Sequence, residues 1–224
     1  MEKPAEDTLV FESFPVGPLG CNCTILGDPA TGKGIIVDPG WDAPEILERA
    51  GKLGLQISCI VHTHAHIDHI NGTLGVHEAL GAGAELHEDD LFLWNGAEEQ
   101  AGMLRMWGMP MEVHAPPDPQ RLLVQGDVIG KGCCEMEVLH TPGHTPGSLS
   151  FFLDGAERPI LFSGDTLFQL GVGRTDLEGG DHQELRKSIQ NKLYTLPPDT
   201  VVIPGHGPTT TIEQERLHNP FVTA

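Results

Sequence analysis

Residues 62–69 read HTHAHIDH, four histidines and an aspartate in eight positions, directly after the apolar run QISCIV at 56–61. A short continuous apolar run of this kind is that of a buried strand, so the cluster stands where a strand leaves a sheet. It is either a solvated stretch or a set of nitrogen and carboxylate ligands gathered at close quarters. A ligand set restricts the fold to one in which further strand ends can supply the rest of a site.

Three more segments do so. His144 lies in TPGHTPG after an expected strand at 135–140, Asp165 in SGDT after one at 159–163, and His206 in IPGHG after one at 200–203. With QISCIV, four strands each carry metal-capable side chains in the loop at their C-terminal end, which is the edge where layered α/β folds build sites. The His-x-His spacing lets His64 and His66 converge on one ion, while Asp68 and His69, at the start of the next helix, point toward a second. Imidazole and carboxylate donors suit zinc, iron or manganese. Gly143, Gly164, Gly205 and Gly207 flank the ligands and allow close backbone approach, and Pro142 and Pro204 stiffen the turns.

The remaining pattern interleaves strands and helices. Strands are expected at 8–14 (TLVFESF), 21–26, 34–38 (GIIVD) and 148–153, and helices at 44–52, 70–81, 180–194 and Ile212–His218. Hairpin-like portions stand beside βα units, which predicts a layered α/β sandwich rather than a purely parallel sheet. The methionine-rich segment 89–111 reads as helical core packing, with a lid or partner groove as its competing role.

A chain of 224 residues suits one domain, and its net charge of −19 excludes nucleic acid and anionic membranes as expected partners. The start MEKPAEDTLVF lacks a basic, then apolar, leader, and no apolar run approaches the roughly 20 residues of a membrane span. The five cysteines are odd in number and lack a CxxC pair. A cytoplasmic location follows as the expectation. Cys21 and Cys23 share one face of a strand and read as small buried hydrophobes.

H-x-H-x-D-H, then a glycine-flanked histidine, an aspartate and a last histidine, resembles the metallo-β-lactamase-fold superfamily over essentially the whole chain. IIVDPG is similar to its first motif. The resemblance implies a four-layer αββα sandwich with a dinuclear site between the sheets. It assigns His64, His66 and His144 to one metal and Asp68, His69 and His206 to the other. Asp165 would bridge, and Asp38 would be a carboxylate orienting a ligand from behind. Two divalent ions, zinc foremost with iron or manganese in its place, would share a hydroxide nucleophile that Asp68 positions or deprotonates. The other seven of the 12 histidines match no ligand position.

Within that superfamily, FSGDTLFQLGVGRTD, IPGHGPTTT and ERLHNPF look like the short-form glyoxalase II (hydroxyacylglutathione hydrolase) branch. The implied activity is metal-dependent hydrolysis of a small-molecule thioester, with glutathione as a candidate thiol carrier. Arg174 matches a basic position that contacts the carrier, and a plain surface salt bridge is its competing role. Thr175 and Asp176 replace the expected tyrosine contacts, and the helical glutathione-gripping domain that follows in full-length members is not expected, leaving one domain over 1–224. Asp165 stands where many β-lactamases of this fold carry cysteine, which disfavours antibiotic hydrolysis, and the length and charge disfavour RNA cleavage. GVGRTD is also similar to the mononuclear-iron persulfide dioxygenases. Hydrolysis of a lactone or small ester is a third, related activity. A non-catalytic metal-binding scaffold is disfavoured, because such relics usually lose a ligand and none is missing from this set.

Overall fold

The computed structural model describes residues 9–106, 108–109 and 111–223. Among them the strands form two six-stranded sheets and a short ribbon. The first sheet runs in chain order: β1 (Val10–Val16), β2 (Cys21–Asp28), β3 (Lys33–Val37), β4 (Gln56–Val61), β5 (Gly83–Leu86) and β6 (Arg121–Leu122). Its first two pairings are antiparallel hairpins and its last three are parallel. The second contains β7 (Val128–Ile129), β8 (Met136–His140), β9 (Leu149–Leu153), β10 (Ile160–Gly164), β13 (Val201–Pro204) and β14 (Thr210–Thr211), ordered β14-β13-β10-β9-β8-β7. Between β10 and β13, β11 (Leu167–Phe168) and β12 (Gly171–Val172) form the ribbon.

Side-chain alternation sorts the strands into layers. On β9, Leu149, Phe151 and Leu153 join Ile35 and Val37 of β3 in the core between the sheets, while Phe152 faces the opposite way. On β3, Ile36 turns outward to pack with Ile46 and Ala50 of α1 (Ala43–Leu53). In β4 the alternation is interrupted at Ser58. Gly34 pairs with Ile57 and Ile35 with Cys59, so the extra residue lets both Ile57 and Ile60 face the helices.

The helices cover both outer faces. Beside α1 lie α2 (Ile67–Ile70) and α3 (Thr73–Leu80), with α4 (Leu91–Asn95) and α5 (Ala97–Met106) at the β5 end. Leu185 and Ile189 of α6 (His182–Asn191) and Ile212 of α7 (Ile212–His218) bury against Leu161 and Val202 on the far side of the second sheet. The result is the expected four-layer αββα sandwich. None of the helices among the described residues is long and apolar enough to cross a membrane.

Three local expectations change. The helix expected over 70–81 is two helices, because Gly72 donates its N–H to the Pro39 carbonyl at 2.9 Å and a Cβ there would stand 2.5 Å from that oxygen. The first strand begins at Val10 and extends to Val16; Thr8 lies outside the described residues. Segment 89–111 does pack helically, but through Leu93, Trp94 and Ala97, whereas Met103 and Met106 face outward. These methionines fill no core gap.

Candidate metal centre

The four expected strand ends meet at one edge of the sandwich. β4 runs out into His62 to His66, and α2 starts immediately afterward with Asp68 and His69 in its single turn. His144 arrives on the β8–β9 connection, Asp165 after β10, and His206 after β13. His64, His66 and His144 form one group of mutually close ligand atoms. Asp68, His69 and His206 form another, and Asp165 groups with His64 and His69.

Hydrogen bonding on the outer side of the rings decides which nitrogens face inward. Asp38, at the end of β3, accepts from the Thr63 N–H at 2.7 Å and the Thr63 hydroxyl at 2.6 Å. With its proton so engaged, the Thr63 oxygen accepts from His64 Nδ1 at 3.1 Å. Asp38 also accepts from His69 Nδ1 at 3.0 Å. His144 Nδ1 donates to the Arg174 carbonyl at 2.7 Å, and His206 Nδ1 to the Leu19 carbonyl at 3.1 Å. Each of these four imidazoles, in its neutral form, therefore turns an Nε2 lone pair inward.

Those lone pairs face one another. His64 Nε2 is 3.2 Å from His144 Nε2, and His69 Nε2 is 3.2 Å from His206 Nε2. His66 Nδ1 lies 2.9 Å from His144 Nε2. Opposed lone pairs at such distances repel unless a cation lies between them. Tetrahedral ligation with bonds of roughly 2.0–2.1 Å places neighbouring ligand atoms about 3.3 Å apart, close to this spacing. Asp165 Oδ1 is buried and makes no hydrogen bond, although it stands 3.5 Å from His69 Nε2. An unsatisfied buried carboxylate oxygen among inward lone pairs is the electrostatic signature of a cation site. The His/Asp cluster fits divalent metal ions.

The charge balance agrees. Burial, reinforced by neighbouring histidines, holds His64 well below the usual histidine range and His66 down to about 3, so both are neutral donors. Burial opposes protonation of His69 too, yet the carboxylates of Asp68, Asp165 and Asp38 raise it well above the ordinary value. Asp68 is drawn well below the carboxylate range by His69 and His206, against the effect of its burial. The half containing Asp68 and Asp165 thus attracts positive charge.

Cys21, Asn22 and Thr63 carry roles that no local pattern announces. Cys21 Sγ lies 3.5 Å from His69 Nδ1, and burial pushes its thiol up to about 12, so it packs there as a neutral group. Asn22 holds the His206 loop through three hydrogen bonds: its N–H to the Gly205 carbonyl at 2.7 Å, and its amide to the carbonyls of Pro204 and Gly207, both at 2.9 Å. The His206 side chain is 26% exposed, the most open of the ligand set, so access to the site lies on that side.

Arg174 stands at the rim, half-exposed, and makes a bidentate pair with Asp176 at 2.7 and 2.8 Å. Its carbonyl, rather than its guanidinium, touches the cluster. A further trio, His87, Asp89 and His140, comes within ligand distance. Its two imidazoles stack with only 9° between planes, so their in-plane lone pairs run parallel instead of converging on one ion.

Residues 16–206 match the model of the metallo-beta-lactamase superfamily. The chain is 36% identical to hydroxyacylglutathione hydrolase GloC of Haemophilus influenzae, over 96% of this chain and 98% of that protein. It is 32% identical to the human mitochondrial persulfide dioxygenase ETHE1, over 92% of this chain and 73% of that protein. Among solved structures, BLEG-1 B3 metallo-beta-lactamase superposes with a TM-score of 0.85 at 39% identity, covering 96% of this chain and 100% of that one. TTHA1623 in a di-iron-bound form does so with a TM-score of 0.83 at 36% identity, covering 94% and 100%.

Proposed function

The chain belongs to the metallo-beta-lactamase superfamily, and on that premise we propose that it is a metal-dependent hydrolase of small-molecule thioesters, of the hydroxyacylglutathione hydrolase type. The observation that carries the reading is the convergence of two ligand groups on an edge where Asp165 Oδ1 has no hydrogen-bonding partner. His64, His66 and His144 would hold one ion, Asp68, His69 and His206 a second, and Asp165 would serve both. Zinc suits this donor set, as do iron and manganese. When bound, the ions supply Lewis acidity toward a carbonyl oxygen and bring the pKa of a water to about 7.

The protein's own groups do the positioning. Asp68, kept ionised and with its Oδ2 3.1 Å from His206 Nε2, is the acceptor that positions a water or takes its proton. Arg174 offers a fork to a carboxylate of the thiol carrier, and a substrate carboxylate would have to compete with Asp176 for it. The likeness to GloC supports a thioester substrate, and residues 1–224 would act as one catalytic domain. Cytoplasmic placement is supported by Cys21, Cys23, Cys59 and Cys134, which form no disulfide among the described residues.

Persulfide oxidation at a single iron is the second reading, supported by the likeness to ETHE1. The IPGHG segment that carries His206 is what favours the hydrolase. The expectation against antibiotic hydrolysis, drawn from Asp165, now stands beside a neighbour whose own name is a β-lactamase.

The test is metal content of the purified protein together with turnover of S-lactoylglutathione, glutathione persulfide and a chromogenic cephalosporin. About two metals per chain and thioester loss that collapses in His66→Ala is the expected result. One iron per chain with oxygen uptake on the persulfide, or turnover confined to the cephalosporin, would replace this reading.

A further inference from the structure

We propose that Asp90 is a positioning residue that sets the His64, His66 and His144 group by tying two ligand-bearing loops from opposite sheets to one carboxylate. This rests on the metal-centre reading above and goes beyond it. Asp90 ends the turn at Glu88–Asp90 that follows β5, and it is fully buried. Its Oδ2 accepts from the Ala65 N–H at 2.9 Å and from the Thr145 hydroxyl at 2.8 Å, and its Oδ1 from the Gly147 N–H at 2.7 Å.

Ala65 separates His64 from His66, and Thr145 follows His144 directly. One side chain therefore fixes the backbone between two ligands and the residue beside the third. A Cβ at position 147 would stand 2.6 Å from Asp90 Cγ, so the glycine there permits the approach. Gln100 of α5 completes the brace. Its Nε2 donates to the Ala65 carbonyl at 3.0 Å and its Oε1 accepts from the Ile67 N–H at 3.0 Å. A direct bond also links the two sheets here, Leu149 N–H to the Thr63 carbonyl at 2.6 Å; it holds the chain just before His64 to the start of β9, whereas Asp90 holds the stretch between His64 and His66 and the residue after His144.

The Asp68, His69 and His206 group is held by different residues, Asp38 behind His69 and Asn22 behind the His206 loop. Loss of Asp90 should therefore act on one ion and spare the other. Asp90→Asn keeps the shape, but both oxygens face donors, so in either orientation its NH₂ group opposes an N–H or hydroxyl.

The experiment uses the full chain, stripped by chelation and titrated with zinc against a chromophoric competitor, alongside thermal unfolding of the stripped and loaded forms. In wild type we expect two zinc ions to bind. In Asp90→Asn we expect one affinity unchanged, the other weaker by about 10- to 100-fold, and a smaller rise in Tm on zinc loading. Equal lowering of Tm in both forms with both affinities intact would overturn the proposal, since that is the mark of a purely structural role. Should Asp90→Asn fail to fold, Thr145→Val removes one donor and Thr145→Ser restores it. The valine variant is expected to weaken one ion and the serine variant to recover it; matching affinities in the two would overturn the proposal. A wild type that binds no zinc, iron or manganese would instead sink the metal centre itself, and Asp90's role with it.

Discussion

Asp38 Oδ2 lies 3.0 Å from His69 Nδ1, and the same carboxylate takes both the N–H and the hydroxyl of Thr63. One buried aspartate thus sets His69 directly and His64 through Thr63, so it acts on both ligand groups from behind. Asp38 has a φ of +48°, a conformation that aspartate and asparagine tolerate better than most residues. Asp38→Asn is therefore expected to fold and to lose about 10- to 100-fold in metal affinity, read by competition with a chelator. Asp38→Ala should in addition cost about 1–3 kcal/mol of stability in urea unfolding, because the Thr63 N–H is left unsatisfied.

Gly205 sits where the His206 loop passes closest to the cluster. A Cβ there would stand 2.2 Å from Asp165 Oδ1 and 2.8 Å from His69 Cε1. Gly205→Ala should keep its circular dichroism spectrum yet bind metal about tenfold or more weakly, as measured by metal retained after dialysis. Full retention would mean that the loop relaxes without disturbing Asp165.

Arg174 has two roles open to it, and kinetics separate them. If its guanidinium grips the substrate, Arg174→Ala raises KM for S-lactoylglutathione by about tenfold with little change in kcat. Asp176→Ala, which frees the guanidinium, lowers KM. The Arg174 hydrogen bonds hold the Asp176 carboxyl down to about 2, so the pairing should be constant from about pH 5 to 9. Unchanged KM in both variants would leave Arg174 as a surface ion pair.

Tyr194 is the chain's single tyrosine. Its hydroxyl donates to the carbonyls of Glu215 and Val222, both at 3.1 Å, and burial, helped by Glu215, pushes its pKa up to about 12. The folded state therefore prefers the protonated phenol. Its contribution to stability is complete below the unfolded value of about 10 and is lost as pH rises toward about 12. Absorbance in the near ultraviolet should show this one phenol ionising near 12 in the native protein and near about 10 in urea. Tyr194→Phe should flatten the fall in stability over that interval. Ionisation at the ordinary value in the native protein would show that the hydroxyl is open to solvent.

How much of this was legible in the chain follows the range of the forces involved. Alternating apolar residues and turn signals are local, so QISCIV, GIIVD and the Ile212–His218 helix could be read directly, as could the mixture of hairpins and βα units. The two-residue strands β6, β7 and β14 could not, because their pairing comes from neighbours rather than from any pattern of their own. The break between α2 and α3 depends on Gly72 meeting Pro39, a contact across the fold.

The ligand candidates were visible because histidine and aspartate beside glycine in strand-end loops are conspicuous in sequence. Which nitrogens face inward was not visible. Only the tertiary structure places the oxygens of Asp38, Thr63, Leu19 and Arg174 behind the rings, and those oxygens choose the tautomers. Asp90 and Gln100 were equally hidden, lying in a segment that reads as methionine-rich helical packing. The sequence by itself determined the ligand types and the strand ends that bear them, since both are properties of short segments. Their convergence, orientation and bracing were decided by two sheets packing face to face, which brings loops 137 residues apart, those of His69 and His206, to within 3.2 Å.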